Sequence, residues 1–300
     1  MAIDVHAHYY PISYMELIGR TDVPSPQAAP LGRESIDERL VRMDASGVER
    51  QILSVSQAQP YLADRTAAVR ATQLVNDLYD ELCQRHRARF STFAALPLPH
   101  VSDALVEIER VATRATVVGF TMGCSINGLQ LDSSELDPIW SALDERSSVL
   151  FLHPVGQTDV AFLRGHNLAW SVGATFEDTA AALRLVYADV HRRFKKMRVI
   201  VPHLGGTLPF LFDRLARKEG AATIEGLRSF YYDTVSGSLD ALNCARHALG
   251  SDRLLFGTDY PFCDATEFAR HLSYLDDSDM TPDELTMVRG RRAEELLGLT

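Results

Sequence analysis

Two histidines stand two residues apart in the opening segment, Asp4-Val5-His6-Ala7-His8. In an extended strand the side-chain period is two, so His6 and His8 point the same way, with Cα atoms about 6.6 Å apart. Imidazoles so placed can share one cation at bonds of about 2.0–2.1 Å. On a helix the two would diverge. His153 precedes Pro154, which holds it extended. His203 ends another apolar run, and Asp259 lies in Gly257-Thr258-Asp259-Tyr260-Pro261. Three nitrogen donors and a carboxylate, with one position left for water or substrate, describe a catalytic metal site better than a closed structural one. Imidazole with carboxylate suits zinc first, with manganese, cobalt or iron as alternatives. Each group alone has an ordinary reading; an aspartate at a strand end often caps a helix. The metal assignment rests on the joint pattern, because four separate strand ends supply compatible groups. The other histidines, His86, His100, His166, His191, His247 and His271, read as solvated.

For these side chains to meet, the elements carrying them must end on one face. Eight short apolar runs read as strands, at 2–8, 51–56, 90–96, 117–122, 149–153, 199–203, 230–233 and 254–259. Most are continuous in Val, Ile, Leu and Phe, as strands buried on both faces are. Helical spacing lies between them: Leu74, Val75, Leu78, Tyr79 and Leu82 form one stripe, Leu105, Ile108 and Val111 another, and Leu183, Val186, Tyr187 and Val190 a third. Alternation of strand and helix implies parallel pairing through right-handed crossovers. Eight repeats favour an α/β fold of the closed (β/α)8 TIM-barrel kind, one domain over 1–300, with all C-terminal strand ends on one face. The connections 11–33 and 154–175, after the first and fifth strands, are long, and long loops on that face commonly shape a site. The segment 281–297 reads as a helix with Thr281 as cap, Pro282 at its first position and Glu284 three residues on.

Composition narrows the classes. The 300 residues are 46% apolar and 23% charged, with a net charge of −10. Nucleic-acid binding needs clustered cations, and that balance argues against it. No run approaches the roughly 18–20 apolar residues of a membrane helix. The first residues lack a basic region followed by an apolar stretch, so the expected location is the cytoplasm. Four scattered cysteines, with no CxxC pair, read as reduced thiols.

The motifs Asp4-Val5-His6-Ala7-His8, Phe151-Leu152-His153-Pro154, Val201-Pro202-His203-Leu204-Gly205-Gly206 and Phe256-Gly257-Thr258-Asp259-Tyr260-Pro261 together resemble the amidohydrolase superfamily in its amidohydrolase-2 branch. The nearest subgroup is the aminocarboxymuconate semialdehyde decarboxylase-like proteins. The resemblance spans the chain and implies a TIM barrel with one divalent metal. It implies that His6, His8, His153 and Asp259 are the metal ligands and that His203 lies beside the metal as a catalytic group. Residues 117–122 hold no lysine, so the carboxylated lysine that bridges two metals in other superfamily members is not expected. By the same resemblance Arg39 and Arg214 hold a substrate carboxylate, the second across a homodimer interface. A guanidinium fork suits a carboxylate bidentately. Tyr9, Trp170, Phe176 and Phe262 are candidate aromatic walls.

The leading expectation is a metal-dependent, non-oxidative decarboxylase of an unsaturated or aromatic carboxylic acid, of hydroxybenzoate or muconate-semialdehyde type. Loss of carbon dioxide leaves a carbanion, and a cation on a neighbouring oxygen is the electron sink. Asp259 and His203 are then the acid–base pair. The alternative is a hydrolase that uses a metal-bound hydroxide on a lactone, ester, amide or C–C bond. A non-catalytic metal-binding barrel is the third reading.

Overall fold

The computed structural model describes residues 1–19, 35–156 and 160–299. Eight strands, β1 (Ile3–His8), β2 (Arg50–Ser54), β3 (Phe90–Ala94), β4 (Val117–Gly123), β5 (Val149–His153), β6 (Arg198–Val201), β7 (Tyr231–Asp233) and β8 (Leu254–Leu255), pair in parallel in chain order. Backbone bonds join the two ends of this sheet. Val5 N donates to Phe256 O at 2.9 Å, Asp259 N to His6 O at 2.8 Å and His8 N to Tyr260 O at 2.7 Å. The result is the expected (β/α)8 barrel.

Ile3, Val5, Ile52, Phe93, Phe151, Ile200 and Leu255, from six different strands, form one buried cluster, as side-chain layers do inside a small barrel. A larger cluster fills the space between sheet and helices. The three apolar stripes fall on helices Arg65–Arg85, Val101–Val111 and Ala174–Tyr187, with Val190 just beyond the last. A register shift between Asp4 and Ala7 interrupts β1. Such an irregularity re-aims side chains. It brings His6 against Phe151, with ring centroids 5.0 Å apart, although Val5 belongs to the same inner cluster.

Two strands are shorter than the sequence suggests. β6 stops at Val201 and β8 at Leu255, so His203 and Asp259 stand in turns rather than in strands. Pro202 has no N–H for a ladder. His203 (φ 53°), Leu204 (φ 56°) and Asp259 (φ 59°) are left-handed, a conformation that strands exclude.

The first long connection carries helix Ile12–Leu17; its residues 20–34 lie outside those described. The fifth carries a 3-10 turn, Ala161–Leu163, and a π-turn, Ala169–Gly173, that runs into helix Ala174–Tyr187. Thr281 and Glu284 form the expected capping box. The helix that follows widens into a π-turn at Met287–Arg291. There Val288 O accepts from Phe256 N at 2.9 Å, which ties the C-terminal segment to the end of β8. All four cysteines are free thiols. Among the described residues no helix is long and apolar enough to cross a membrane.

Candidate metal centre

At the C-terminal ends of the strands, four imidazoles face one carboxylate. Asp259 Oδ1 lies 3.1 Å from His6 Nε2, 2.9 Å from His8 Nε2 and 3.9 Å from His153 Nε2. Asp259 Oδ2 lies 3.7 Å from His203 Nε2.

Each ring is oriented by its other nitrogen. His6 Nδ1 bonds Asp233 Oδ2 at 2.7 Å, His8 Nδ1 bonds Ser54 Oγ at 2.9 Å, His153 Nδ1 bonds the Pro154 carbonyl at 2.8 Å and His203 Nδ1 bonds Asp178 Oδ2 at 2.8 Å. On His6, His153 and His203 an acceptor at Nδ1 keeps a proton there and turns Nε2 to the centre, an outer-shell arrangement common at histidine metal sites; His8 Nε2 instead donates to Asp259, and its Nδ1 accepts from the Ser54 hydroxyl.

The backbone beneath is tied just as closely. Asp4 Oδ1 accepts from His6 N and Thr258 N, and Oδ2 from Gln51 Nε2 and Thr258 Oγ1, all within 3.1 Å. One buried carboxylate thus joins β1, β2 and the segment after β8. Asp233 does the same on the other side: its Oδ1 accepts from His203 N at 2.9 Å and from Val235 N at 3.1 Å.

Burial disfavours the charged form of His6, but the Asp233 and Asp259 carboxylates outweigh it and hold the pKa up at about 9. His203 is likewise buried and is pushed well above its ordinary value by Asp178 and then Asp259. Burial lowers the pKa of His8 and His153. Burial opposes the charge of Asp259, yet the surrounding histidines, His6 foremost, keep it well below the usual carboxylate range.

His6, His153, His203 and Asp259 each offer one ligand atom, all within 4.8 Å of one another. His6 Nε2 is buried and makes no hydrogen bond, although Asp259 is near. A buried ring nitrogen without a hydrogen bond, 3.1 Å from a carboxylate, is what a cation would satisfy, so the donor set fits a divalent ion. This group includes His203, which the sequence placed beside the metal. It leaves out His8, whose Nε2 makes a 2.9 Å hydrogen bond to Asp259.

Two cavities open on the centre, and Thr175, His203, Asp259 and Phe262 line both. One, of about 340 Å³, runs past His153, Pro154 and Trp170 to the amides of Gln57 and Asn167. The other, of about 440 Å³, extends towards Val235, Cys263 and His271. His271 is therefore not solvated as its helical position suggested: it is 9% exposed, because helix Ala265–Ser273 turns that face inward.

Of the candidate substrate residues, Trp170 lines the smaller cavity and Phe262 lines both. Tyr9 packs beside Tyr79 under the Arg39 guanidinium. Phe176 is half exposed on its helix. Arg39 is buried; it donates to His8 O at 2.7 Å and to Gln51 Oε1 at 3.0 Å, and it stacks on Tyr260. Arg214 is exposed on helix Leu208–Glu219. Neither arginine lines either cavity.

The sequence reading missed Asp233 and Asp178. Asp233 ends a strand, the very signal that marked the histidines. Asp178 comes from a helix, and nothing in its neighbourhood marks it.

Residues 3–299 match the family described as Amidohydrolase. The chain belongs to the amidohydrolase family. This amidohydrolase is similar to the γ-resorcylate decarboxylase of Rhizobium radiobacter, 30% identical over 252 residues, which span 75% of this chain and 76% of that protein. It is 27% identical to the 6-methylsalicylic acid decarboxylase of Penicillium expansum over 98% of this chain and 95% of that one. Among solved structures, a dihydroxybenzoic acid decarboxylase from a Polaromonas species, with bound manganese and the inhibitor 2-nitroresorcinol, shares the amidohydrolase fold. Its TM-score is 0.86 at 23% identity, over 99% of this chain and 97% of that one.

Proposed function

We propose that this amidohydrolase is a divalent-metal-dependent, non-oxidative decarboxylase of a hydroxybenzoate-like aromatic acid. The observation that carries the reading is the meeting of His6, His153, His203 and Asp259, the last three lining a cavity walled by Trp170 and Phe262. The named activities of the two curated relatives support the substrate class. His6, His153 and Asp259 would hold the ion, with His8 and His203 beside them. A divalent cation bound there supplies an electrophile for the substrate's oxygens. Zinc suits the imidazole-rich donors, and manganese is the ion named for the Polaromonas protein.

The chain's own residues do the rest. Trp170 and Phe262 flank the ring and shield it from water. Gln57 and Asn167 offer amides to ring hydroxyls. The bond from ring carbon to carboxylate breaks, and its electron pair stays on the ring carbon. A proton from the His203–Asp259 pair takes that pair up, carbon dioxide leaves, and solvent restores the proton. Asp178 on His203 Nδ1 holds the ring in place for that transfer. Arg39 acts from behind, through the His8 carbonyl. The proposal includes a homodimer, in which Arg214 reaches the neighbouring site, and a cytoplasmic location, to which the four free thiols are suited.

The test is carbon dioxide release from a panel of hydroxybenzoic acids by metal-loaded enzyme, abolished by chelator. No release from any acid, with solvent oxygen incorporated into the product of a lactone or amide, would replace this reading with hydrolysis. Static light scattering tests the dimer, and elemental analysis names the metal.

A further inference from the structure

The aromatic wall of the smaller cavity stands on a glycine. Gly156 lies three residues after His153 at φ +72°. A Cβ placed on it would sit 2.3 Å from Trp170 Cζ2 and 2.7 Å from Cε2 and Cη2. That is about 1 Å short of ordinary contact, which begins at 3.4 Å. The indole therefore rests on the bare Cα, and no other residue leaves it that place.

A second contact fixes the same stretch of backbone. Glu177, 9% exposed, accepts from Val155 N at 2.8 Å and from Gly156 N at 3.0 Å through its two carboxylate oxygens. Trp170 and Glu177 belong to one continuous segment, the π-turn Ala169–Gly173 and the helix that follows it. That segment thus grips the loop twice, by a carboxylate on two successive N–H groups and by an indole on the glycine. The loop in turn begins at His153. Trp170 lines the cavity and Gly156 does not, so a side chain at 156 pushes the ring away from the loop and into the cavity.

We propose that Gly156 and Glu177 are positioning residues for Trp170, and that together they set the width of planar acid the cavity admits. This deepens the substrate reading above and rests on it for the identity of the acids. Mispositioning by 1 Å can cost about a hundredfold in rate.

The variants are Gly156→Ala, Glu177→Gln, Trp170→Leu, the pair Gly156→Ala with Trp170→Leu, and Gly165→Ala. Gly165 lies in the same connection at φ +78° with nothing among the described residues within 4 Å of a would-be Cβ. It carries the left-handed strain of Gly156 without the collision. With γ-resorcylate and 6-methylsalicylate as substrates, Gly156→Ala is expected to lower kcat/KM at least tenfold, mostly through KM, and more for the methylated acid. Glu177→Gln moves in the same direction by less. Gly165→Ala leaves both constants near wild type. In the Trp170→Leu background Gly156→Ala adds no further loss, the coupling that a double-mutant cycle isolates. An equal penalty with and without the indole, or an equal penalty from Gly165→Ala, overturns the proposal.

A second readout needs no turnover. The chain has two tryptophans, and Trp140 is fully buried, so acrylamide quenching of the metal-loaded enzyme reports Trp170. Gly156→Ala is expected to change that quenching at least twofold, and Gly165→Ala is not. Unchanged quenching in Gly156→Ala overturns the seating of Trp170 even if neither acid is a substrate. Altered quenching with no decarboxylation upholds it and sinks only the assigned reaction.

Discussion

Asp233→Asn is the sharpest test of how the histidines are prepared for a cation. Asp233 is fully buried. Its Oδ1 accepts from two backbone donors, His203 N and Val235 N, while Oδ2 meets His6 Nδ1 at 2.7 Å. Because both partners of Oδ1 are donors, the oxygen of an asparagine must stay on that side. The NH2 then faces His6, and a donor meets the nitrogen that carried the proton. His6 resolves the conflict by moving its proton to Nε2, which can still donate to Asp259. The metal-free protein therefore keeps its fold, but the lone pair aimed at the ion is gone. Loss of such an outer partner weakens metal binding about 10–100-fold, or about 1.4–2.8 kcal/mol. The assay is competition of apo-protein with a chromogenic chelator for zinc and for manganese at pH 9 and above, where a proton no longer competes for wild-type His6, with thermal unfolding of the apo-protein as the control. A Kd within twofold of wild type, in a variant whose apo form melts normally, would refute the reasoning.

Metal affinity should rise with pH. His6 must be neutral to bind a metal, and its pKa is raised to about 9, so below that pH a proton competes for the site. Affinity is expected to fall up to about tenfold per pH unit between 9 and 7; a flat titration would count against it. The same shift stabilises the metal-free fold fully below pH 6.5, and that contribution is lost as pH rises through 9, which apo melting curves across this range can follow. Gly206→Ala places a Cβ 2.0 Å from Thr175 O at φ +64°. Left-handed strain alone costs about 1–2 kcal/mol, and a melting temperature unchanged from wild type would show that the turn after His203 relaxes freely. Arg39→Ala removes the donors to His8 O and Gln51; lower stability and weaker metal retention are expected, and an effect on KM alone would move Arg39 into the substrate pocket.

The first half of the centre was legible because His6 and His8 keep the two-residue period, their ring centroids 4.8 Å apart, despite the register shift in β1. His6 and His8 share a face by the period of two, and Pro154 marks where β5 ends. His203 and Asp259 were found by type and position, but their setting was not. Both lie beyond shortened strands in left-handed backbone, which non-glycine residues adopt only where the surroundings impose it. Those surroundings are Asp233 on His203 N and the His6 carbonyl on Asp259 N, contacts distant in sequence. Asp178 reaches His203 from a helix, and helical periodicity says which residues face a core but not which one meets a particular ring. The inward turn of His271 has the same cause.

The residues of the candidate centre come from both ends of the chain, and the hydrogen bonds that join β1 to the segment after β8 run through them: His6 O holds Asp259 N and His8 N holds Tyr260 O. At about 5–20 residues per second, translation delivers residue 259 roughly 13–50 s after residue 6. Throughout that interval the emerging polypeptide shows imidazoles without their carboxylate. A cation at this centre would thus be captured by the released, fully wound molecule, and a fragment truncated ahead of residue 259 lacks the carboxylate that the imidazoles face.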